Sequence, residues 1–199
     1  MTGILYVAYG EAARQEIHYS LTALRQHSDL PVAVIAEEPI EGTQWVEWHE
    51  PGKGARWAKL NCHRLSPFDQ TLYLDADTRV RADIGVGFDI LDDGWDMVIV
   101  PSSNQGRETL WHIGAEEKGQ TIEQVGFNPI QLQGGVYWFQ KNERVWSFFD
   151  TWGEEWQRWG DKDQAACLRA YYRNPVKLWL LGFPWNGGAC IQHLFGRIR

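Results

Sequence analysis

Residues 72–80 read Leu72-Tyr73-Leu74-Asp75-Ala76-Asp77-Thr78-Arg79-Val80. An apolar run of the kind that forms a buried strand ends in two carboxylates two positions apart. Extended chain repeats every two residues, so a strand here turns Asp75 and Asp77 to the same side. Two oxygens so placed suit a hard divalent cation, Mg²⁺ or Mn²⁺, with coordination sites left for diphosphate oxygens. A cation there neutralises charge on a departing nucleoside diphosphate. The plain structural alternative is an Asp-rich turn in which Asp77 caps the next segment. The position of the pair, at a strand C-terminus where α/β proteins bind ligands, favours the first reading.

Upstream, Ile4–Tyr9 is a short apolar run closed by Gly10, and residues 11–27 carry Ala13, Ile17, Leu21 and Leu24 at helical spacing. Pro31 opens a second apolar run, VAVIA, ended by Glu37-Glu38-Pro39. This strand–helix–strand opening predicts a parallel sheet with a crevice at the strand C-termini. A helical pattern over Ala55–Leu65 leads through the turn Ser66-Pro67-Phe68-Asp69 into the strand Thr71–Leu74. Downstream, Met97–Val100 and Gly135–Phe139 read as strands, separated by a polar stretch, 102–128, expected to be irregular or mobile near the site. Residues 141–159 form an amphipathic helical pattern with Val145, Phe148, Phe149, Trp152, Trp156 and Trp159 near one face. A second helix is expected over 161–173, then a strand in KLWLL and a Gly-rich turn before 191–199. No repeat, linker or low-complexity tract is visible, and 199 residues suit one domain spanning 1–199.

Composition narrows the function. A formal net charge of −7 argues against binding a nucleic-acid backbone, which needs clustered Lys and Arg. An acidic chain still binds a polyanionic ligand where a metal or local cations supply positive charge. Cys62, Cys167 and Cys190 are odd in number and widely spaced, which reads as reduced thiols in a cytoplasmic protein. The start, MTGILYVAYG, lacks the basic and long apolar regions of a signal peptide. No apolar run approaches the ~20 residues of a membrane span. The expectation is a cytoplasmic protein without a transmembrane segment, with peripheral contact to a membrane-borne acceptor left open. Twelve tryptophans serve either core packing or stacking on sugars and bases, and composition does not choose.

Five segments in order carry a family resemblance. VAYG leads into the helix EAARQEIHYSLTAL; WAKLNCHRLSPF, a helix with a lysine, directly precedes LYLDADTRV; then come QGGVYWF, DKDQAACL and HLFGRIR. The chain resembles the glycogenin and lipopolysaccharide-galactosyltransferase family (glycosyltransferase family 8), whose N-A-G-V segment, D-Q helix start and closing H-x-x-G-x-x-K these last three match. The resemblance spans almost the whole chain. It implies an α/β GT-A fold, a Rossmann-like mixed sheet flanked by helices, and transfer of a sugar from a nucleotide-diphosphate donor, UDP by family habit. It implies metal ligation by Asp75, Asp77 and His193, and Mn²⁺ accepts two oxygens with one imidazole nitrogen. Arg199 stands at the phosphate-binding lysine, where its planar fork serves a phosphate, although a chain terminus is also prone to fraying. Gly196 belongs to the same closing motif, and Ala76 lies between the paired acids.

The likeness further sets Lys59 near the donor as a cation, where a solvated helix-face lysine is the alternative. Gly134 and Gly135 would let backbone approach the ligand, with Gln133 toward the donor-sugar hydroxyls. Here Gln-Gly replaces the family's Asn-Ala, which bears on sugar preference. Asp163 and Gln164 would sit close to the anomeric carbon; an amide is a poor nucleophile, so Gln164 steadies charge rather than attacks. Ala8 and Tyr9 would flank the nucleobase, with a core-edge tyrosine as the alternative, and Glu37 would approach the nucleoside. The family retains anomeric configuration, and without an unambiguous carboxylate nucleophile front-face attack is favoured. The acceptor, a carbohydrate, a lipid-linked sugar or a protein, is not legible.

Three rivals accompany this reading. A haloacid-dehalogenase-type phosphatase would use Asp75 as nucleophile, since Asp75-Ala76-Asp77-Thr78 satisfies its D-x-D-x-T. Against it stand the residues preceding that strand and a later acidic segment placed after a tryptophan-rich helix. A nucleotidyltransferase would need a Gly-rich, Arg-bearing loop after the first strand, where Tyr9-Gly10-Glu11 offers one glycine and an acid. A nucleotide-sugar-binding module without turnover is the third.

Overall fold

A computed structural model describes residues 1–102, 110–126, 129–160 and 162–196. The elements run β1 (Thr2–Ala8), α1 (Glu11–Leu24), β2 (Val32–Ala36), β3 (Gln44–Glu47), α2 (Ala55–Leu60), α3 (Cys62–Leu65), β4 (Gln70–Asp75) and β5 (Thr78–Val80). They continue with α4 (Gly85–Asp92), β6 (Met97–Pro101), α5 (Ala115–Val125), β7 (Leu132–Gln140), α6 (Glu143–Gln157), α7 (Gln164–Arg173), β8 (Leu178–Leu180), a 3₁₀ turn at Phe183–Trp185, and β9 (Ile191–His193).

Seven strands form one mixed sheet in the order β3-β2-β1-β4-β7-β6-β8. β1 pairs in parallel with both β2 and β4, whereas β7 lies antiparallel between β4 and β6. Alternate residues of β1 feed two separate cores. Leu5 and Val7 pack on the side of α2, α6 and α7, and Ile4, Tyr6 and Ala8 pack on the side of α1 and α4. A strand buried on both faces must be apolar along its length, which is why the opening run does not alternate. Helix α6 places Phe148, Phe149 and Trp152 in the first core, each at most 1% exposed. At roughly 1.5–3 kcal/mol for each such side chain, this face fixes the helix, and Asn142 caps it by accepting from the Val145 N–H. Trp152 is therefore packing and Trp156 lies partly buried against the same core, whereas Trp159 falls beyond the end of α6.

β1 and β4 lie side by side in parallel, so their C-terminal ends meet at one edge of the sheet, where α/β folds form ligand crevices. Val7 and Asp75 are register partners there.

Several boundaries differ from the sequence reading. The expected helix over 55–65 is two, because Asn61 leaves helical geometry and its side-chain amide donates to Trp57 O. Strand β3 and helix α4 are additional. The 102–128 stretch is not irregular throughout, since α5 occupies Ala115–Val125; residues 103–109, 127 and 128 lie outside the described part. Helix α5 lacks a full apolar stripe and is anchored by polar contacts instead. Buried Arg169 Nη1 on α7 donates to Glu117 Oε1 at 3.1 Å and Thr121 Oγ1 at 2.6 Å, while its Nε donates to Glu155 Oε2 at 2.8 Å. Helix α7 begins at Gln164 rather than 161. Cys62 and Cys167 are buried thiols and Cys190 is half-buried. No helix among the described residues is long and apolar enough to cross a membrane.

Candidate active site

Strand β4 ends at Asp75, and Ala76 and Asp77 form a turn before β5. The two acids therefore converge through a turn, and not through strand pleat as the sequence pattern predicts. Thr78 Oγ1 closes that turn by donating to Asp75 O at 2.8 Å. Strand β5 then pairs antiparallel with β9, setting Thr78 opposite His193, and the Leu194 N–H donates to Asp77 O at 3.0 Å. This small second sheet carries a histidine from near the chain end back to the acid pair. His193 Nε2 lies 3.1 Å from Asp77 Oδ1 and 3.7 Å from Asp75 Oδ2. One ligand atom from each of Asp75, Asp77 and His193 falls within 4.8 Å of the others.

Each of the three side chains is held by one atom and presents the other. Asp75 Oδ1 accepts from the Tyr73 hydroxyl at 2.8 Å and from Lys59 Nζ at 3.3 Å, and its Oδ2 faces His193. Asp77 Oδ2 accepts from the Gly196 N–H at 2.6 Å, and its Oδ1 faces His193. His193 Nδ1 lies 2.7 Å from Asn186 Oδ1, an acceptor for an Nδ1–H, and this contact turns Nε2 toward the acids. Burial raises the Asp77 pKa, but the His193 hydrogen bond and charge outweigh it, so Asp77 titrates below its ordinary value.

Strand β7 passes directly beneath this cluster. A Cβ added to Gly135 would overlap the His193 ring and lie 2.7 Å from Asp75 Oδ2. Only glycine fits. The register shift between Ile99 and Val100, where β7 bulges, sits at the same point. Two carboxylates and an oriented imidazole around a cradle that excludes a methyl group suit a borderline-hard divalent ion.

A second charged cluster lies beside the first. Asp163 starts α7 but makes no side-chain cap; its carboxylate is turned inward and 7% exposed, with Oδ1 2.8 Å from Arg56 Nη1 and Oδ2 3.3 Å from Lys59 Nζ. Burial opposes charge on Asp163, yet Lys59 and Arg56 outweigh it and lower its pKa. Burial likewise opposes charge on Lys59, and the Asp163 and Asp75 carboxylates overcome it and raise its pKa. Lys59 is thus a buried cation bridging two acids, not a solvated helix-face lysine. Gln164 Nε2 donates to Gln133 Oε1 at 2.7 Å, joining the start of α7 to β7. Both clusters line one cleft of about 490 Å³, together with Val7, Arg56, His112, Lys162 and Phe195.

Most of the sequence-derived set meets here: Lys59, Asp75, Asp77, Gln133, Asp163, Gln164, His193 and Gly196 line the cleft. Gly134 lies against it, with a Cβ there 3.4 Å from Lys59 Nζ. Ala76 is 9% exposed at the turn. The side chains of Ala8 and Tyr9 do not line the cleft. Ala8 is fully buried in the α1-side core, and the Tyr9 hydroxyl donates to Trp48 O. Exposed Glu37 accepts from the Gly10 N–H at 3.0 Å. Arg199 lies outside the described residues. Sequence reasoning missed Arg56, Asn186 and His112. Arg56 was findable, since it stands one helical turn before Lys59 on the same face. Asn186 and His112 sit in segments without periodic pattern.

No protein-family model and no curated protein matches the chain. Solved structures do. It is similar to the bifunctional glycosyltransferase WbbM in its apo form, with TM-score 0.67 and 15% identity over 93% of this chain and 39% of that one. It is similar to the galactosyltransferase LgtC in complex with donor and acceptor sugar analogues, with TM-score 0.63 and 14% identity over 92% of this chain and 74% of that one. It is also similar to mouse xyloside xylosyltransferase 1, with TM-score 0.66 and 12% identity over 100% of this chain and 99% of that one. The chain thus spans about two-fifths of the solved WbbM chain and nearly all of the solved mouse chain. At such identities the likeness is one of fold: the mixed sheet flanked by helices is that of GT-A glycosyltransferases.

Proposed function

We propose that the chain is a divalent-metal-dependent glycosyltransferase that moves a sugar from a nucleotide-diphosphate donor, a UDP-sugar, to a carbohydrate, lipid-linked or protein acceptor. One observation carries this reading. Asp75, Asp77 and His193 present one ligand atom each within 4.8 Å, at the sheet crevice and beside the Lys59–Asp163–Arg56 cluster. Shared fold with glycosyltransferases supports it over the phosphatase and nucleotidyltransferase readings. The phosphatase reading also needs Asp75 as an attacking nucleophile, whereas its Oδ1 is engaged by Tyr73 and Lys59.

Asp75, Asp77 and His193 would hold Mn²⁺ or Mg²⁺, which supplies Lewis-acid neutralisation of the leaving diphosphate. The protein's own groups do the rest. Asp163, kept ionised by Lys59 and Arg56, accepts hydrogen bonds from donor-sugar hydroxyls. Gln133 and Gln164, bonded to each other, present amides beside the anomeric carbon, and Gln164 steadies charge there. Gly134 would let the donor approach backbone, while Gly135 makes room for the His193 ring and Asp75 Oδ2. A carboxylate shared between two cations is a weak nucleophile, so the arrangement around Asp163 supports retention by front-face attack over a covalent glycosyl–enzyme. Gly196 and Arg199 would serve the diphosphate, and Ala76 the donor through backbone. The side-chain placement of Ala8 and Tyr9 does not support a base-stacking role, and near the end of β1 it is Val7 that lines the cleft.

The test is a panel of nucleotide sugars with and without Mn²⁺, following nucleotide release, with Asp75→Asn and Asp77→Asn alongside. Metal-dependent release from a UDP-sugar, lost by at least 100-fold in either variant on the scale of removing a metal-site or charge-stabilising group, is the expected outcome. Equal release in chelator would remove the metal from the mechanism. Binding without release would select the non-catalytic module.

A further inference from the structure

Tyr73 reaches the cleft from the core, its ring packed inside and its hydroxyl at the cleft wall. Its ring is 2% exposed and stacks on Tyr137 with centroids 4.8 Å apart and planes 16° from parallel. Its oxygen donates to Asp75 Oδ1 at 2.8 Å, the shortest hydrogen bond that carboxylate receives. A buried phenol of this kind must direct its proton at a partner, and here the partner is a candidate metal ligand.

The bond sorts the two oxygens of Asp75. Oδ1 is taken by Tyr73, and Oδ2 is the atom that faces His193 and the Gly135 cradle. Lys59 also reaches Oδ1, but at 3.3 Å it is shared equally with Asp163. Its effect differs in kind. A cation next to Asp75 draws down the negative charge available to a second cation, whereas a neutral donor orients the carboxylate without competing for it.

We infer that Tyr73 is a positioning residue for the divalent cation, its hydroxyl locking Asp75 with Oδ2 directed at the site. This rests on the metal-dependent reading above and assigns a partner to Asp75 in the role that Asn186 and Gly196 fill for His193 and Asp77.

The experiment titrates Mn²⁺ into the metal-free protein, without any donor, by calorimetry or by the paramagnetic resonance of free Mn²⁺. Wild type, Tyr73→Phe and Tyr137→Phe are compared. Tyr137 is the control because it occupies the same stack but its hydroxyl meets Cys62 Sγ at 3.3 Å and not Asp75. The expected result is Mn²⁺ bound about tenfold more weakly by Tyr73→Phe, with Tyr137→Phe matching wild type. Wild-type affinity in Tyr73→Phe overturns the inference and leaves the metal-dependent reading intact. Equal weakening in both variants overturns it too, because it marks a softened core. Wild type that binds no Mn²⁺ removes the metal-dependent reading and the inference together.

Discussion

At Lys59 two carboxylates, Asp75 and Asp163, each lie 3.3 Å from a single ammonium that is 10% exposed. Desolvation alone would push that lysine toward neutrality, and the two acids reverse the balance. The pH consequences have opposite signs at the two ends of the scale. The Asp163 pKa is lowered from 3.8, so its share of stability is present above that value and disappears as pH falls through the lower folded value. The Lys59 pKa is raised from 10.5, so its share is present below that value and disappears as pH rises through the higher folded value. Replacing Lys59 by Met removes one partner of a buried pair while Arg56 stays with Asp163, which is expected to cost about 3 kcal/mol at pH 7, the low end for such a loss. Urea unfolding from pH 3 to 11 checks this. The variant's stability should fall less steeply below pH 4 than wild type's, and two parallel curves would contradict the coupling.

Strand β7 illustrates what an element contributes that its residues do not announce. Gln133-Gly134-Gly135 read in the sequence as a place where backbone nears a ligand; in the structure Gly135 also gives way to the His193 ring and Asp75 Oδ2. Gly135→Ala is expected to displace one of them, costing about 1–3 kcal/mol from overpacking and lowering Mn²⁺ affinity, readable as a loss of metal-induced thermal stabilisation. An unchanged metal response would show that the cradle is looser than its contacts imply. Legibility in the sequence divides along the same line. Buried strands and the apolar face of α6 were readable because burial writes itself into periodicity, and the Asp75–Asp77 pair was readable because it ends such a strand. Helix α5 was not, because Arg169, Glu117 and Thr121 anchor it by polar contacts with no stripe to see. Nor was the geometry joining His193 to the acids, since β5 and β9 are three residues each and pair across more than a hundred positions. A motif match pointed to that histidine; no local pattern could.

Across the whole molecule, a chain of net charge −7 gathers Arg56, Lys59 and Lys162 in the same cleft as Asp75, Asp77 and Asp163. In the proposed reading, these cations and a divalent ion at the Asp75–Asp77–His193 cluster would together offset an acidic surface that would otherwise repel a nucleoside diphosphate. Strand order makes this possible by bringing the ends of β1 and β4 together, and the β5–β9 pairing closes the crevice from the side with His193. The account stands on metal held among residues that come from distant parts of the sequence. A crystal grown with Mn²⁺ and UDP, measured at a wavelength where manganese scatters anomalously, tests it most directly. The account expects one anomalous peak bonded to Asp75, Asp77 and His193 with diphosphate oxygens completing its shell. Density for UDP in the cleft with no such peak, or a peak that leaves His193 unliganded, would contradict it.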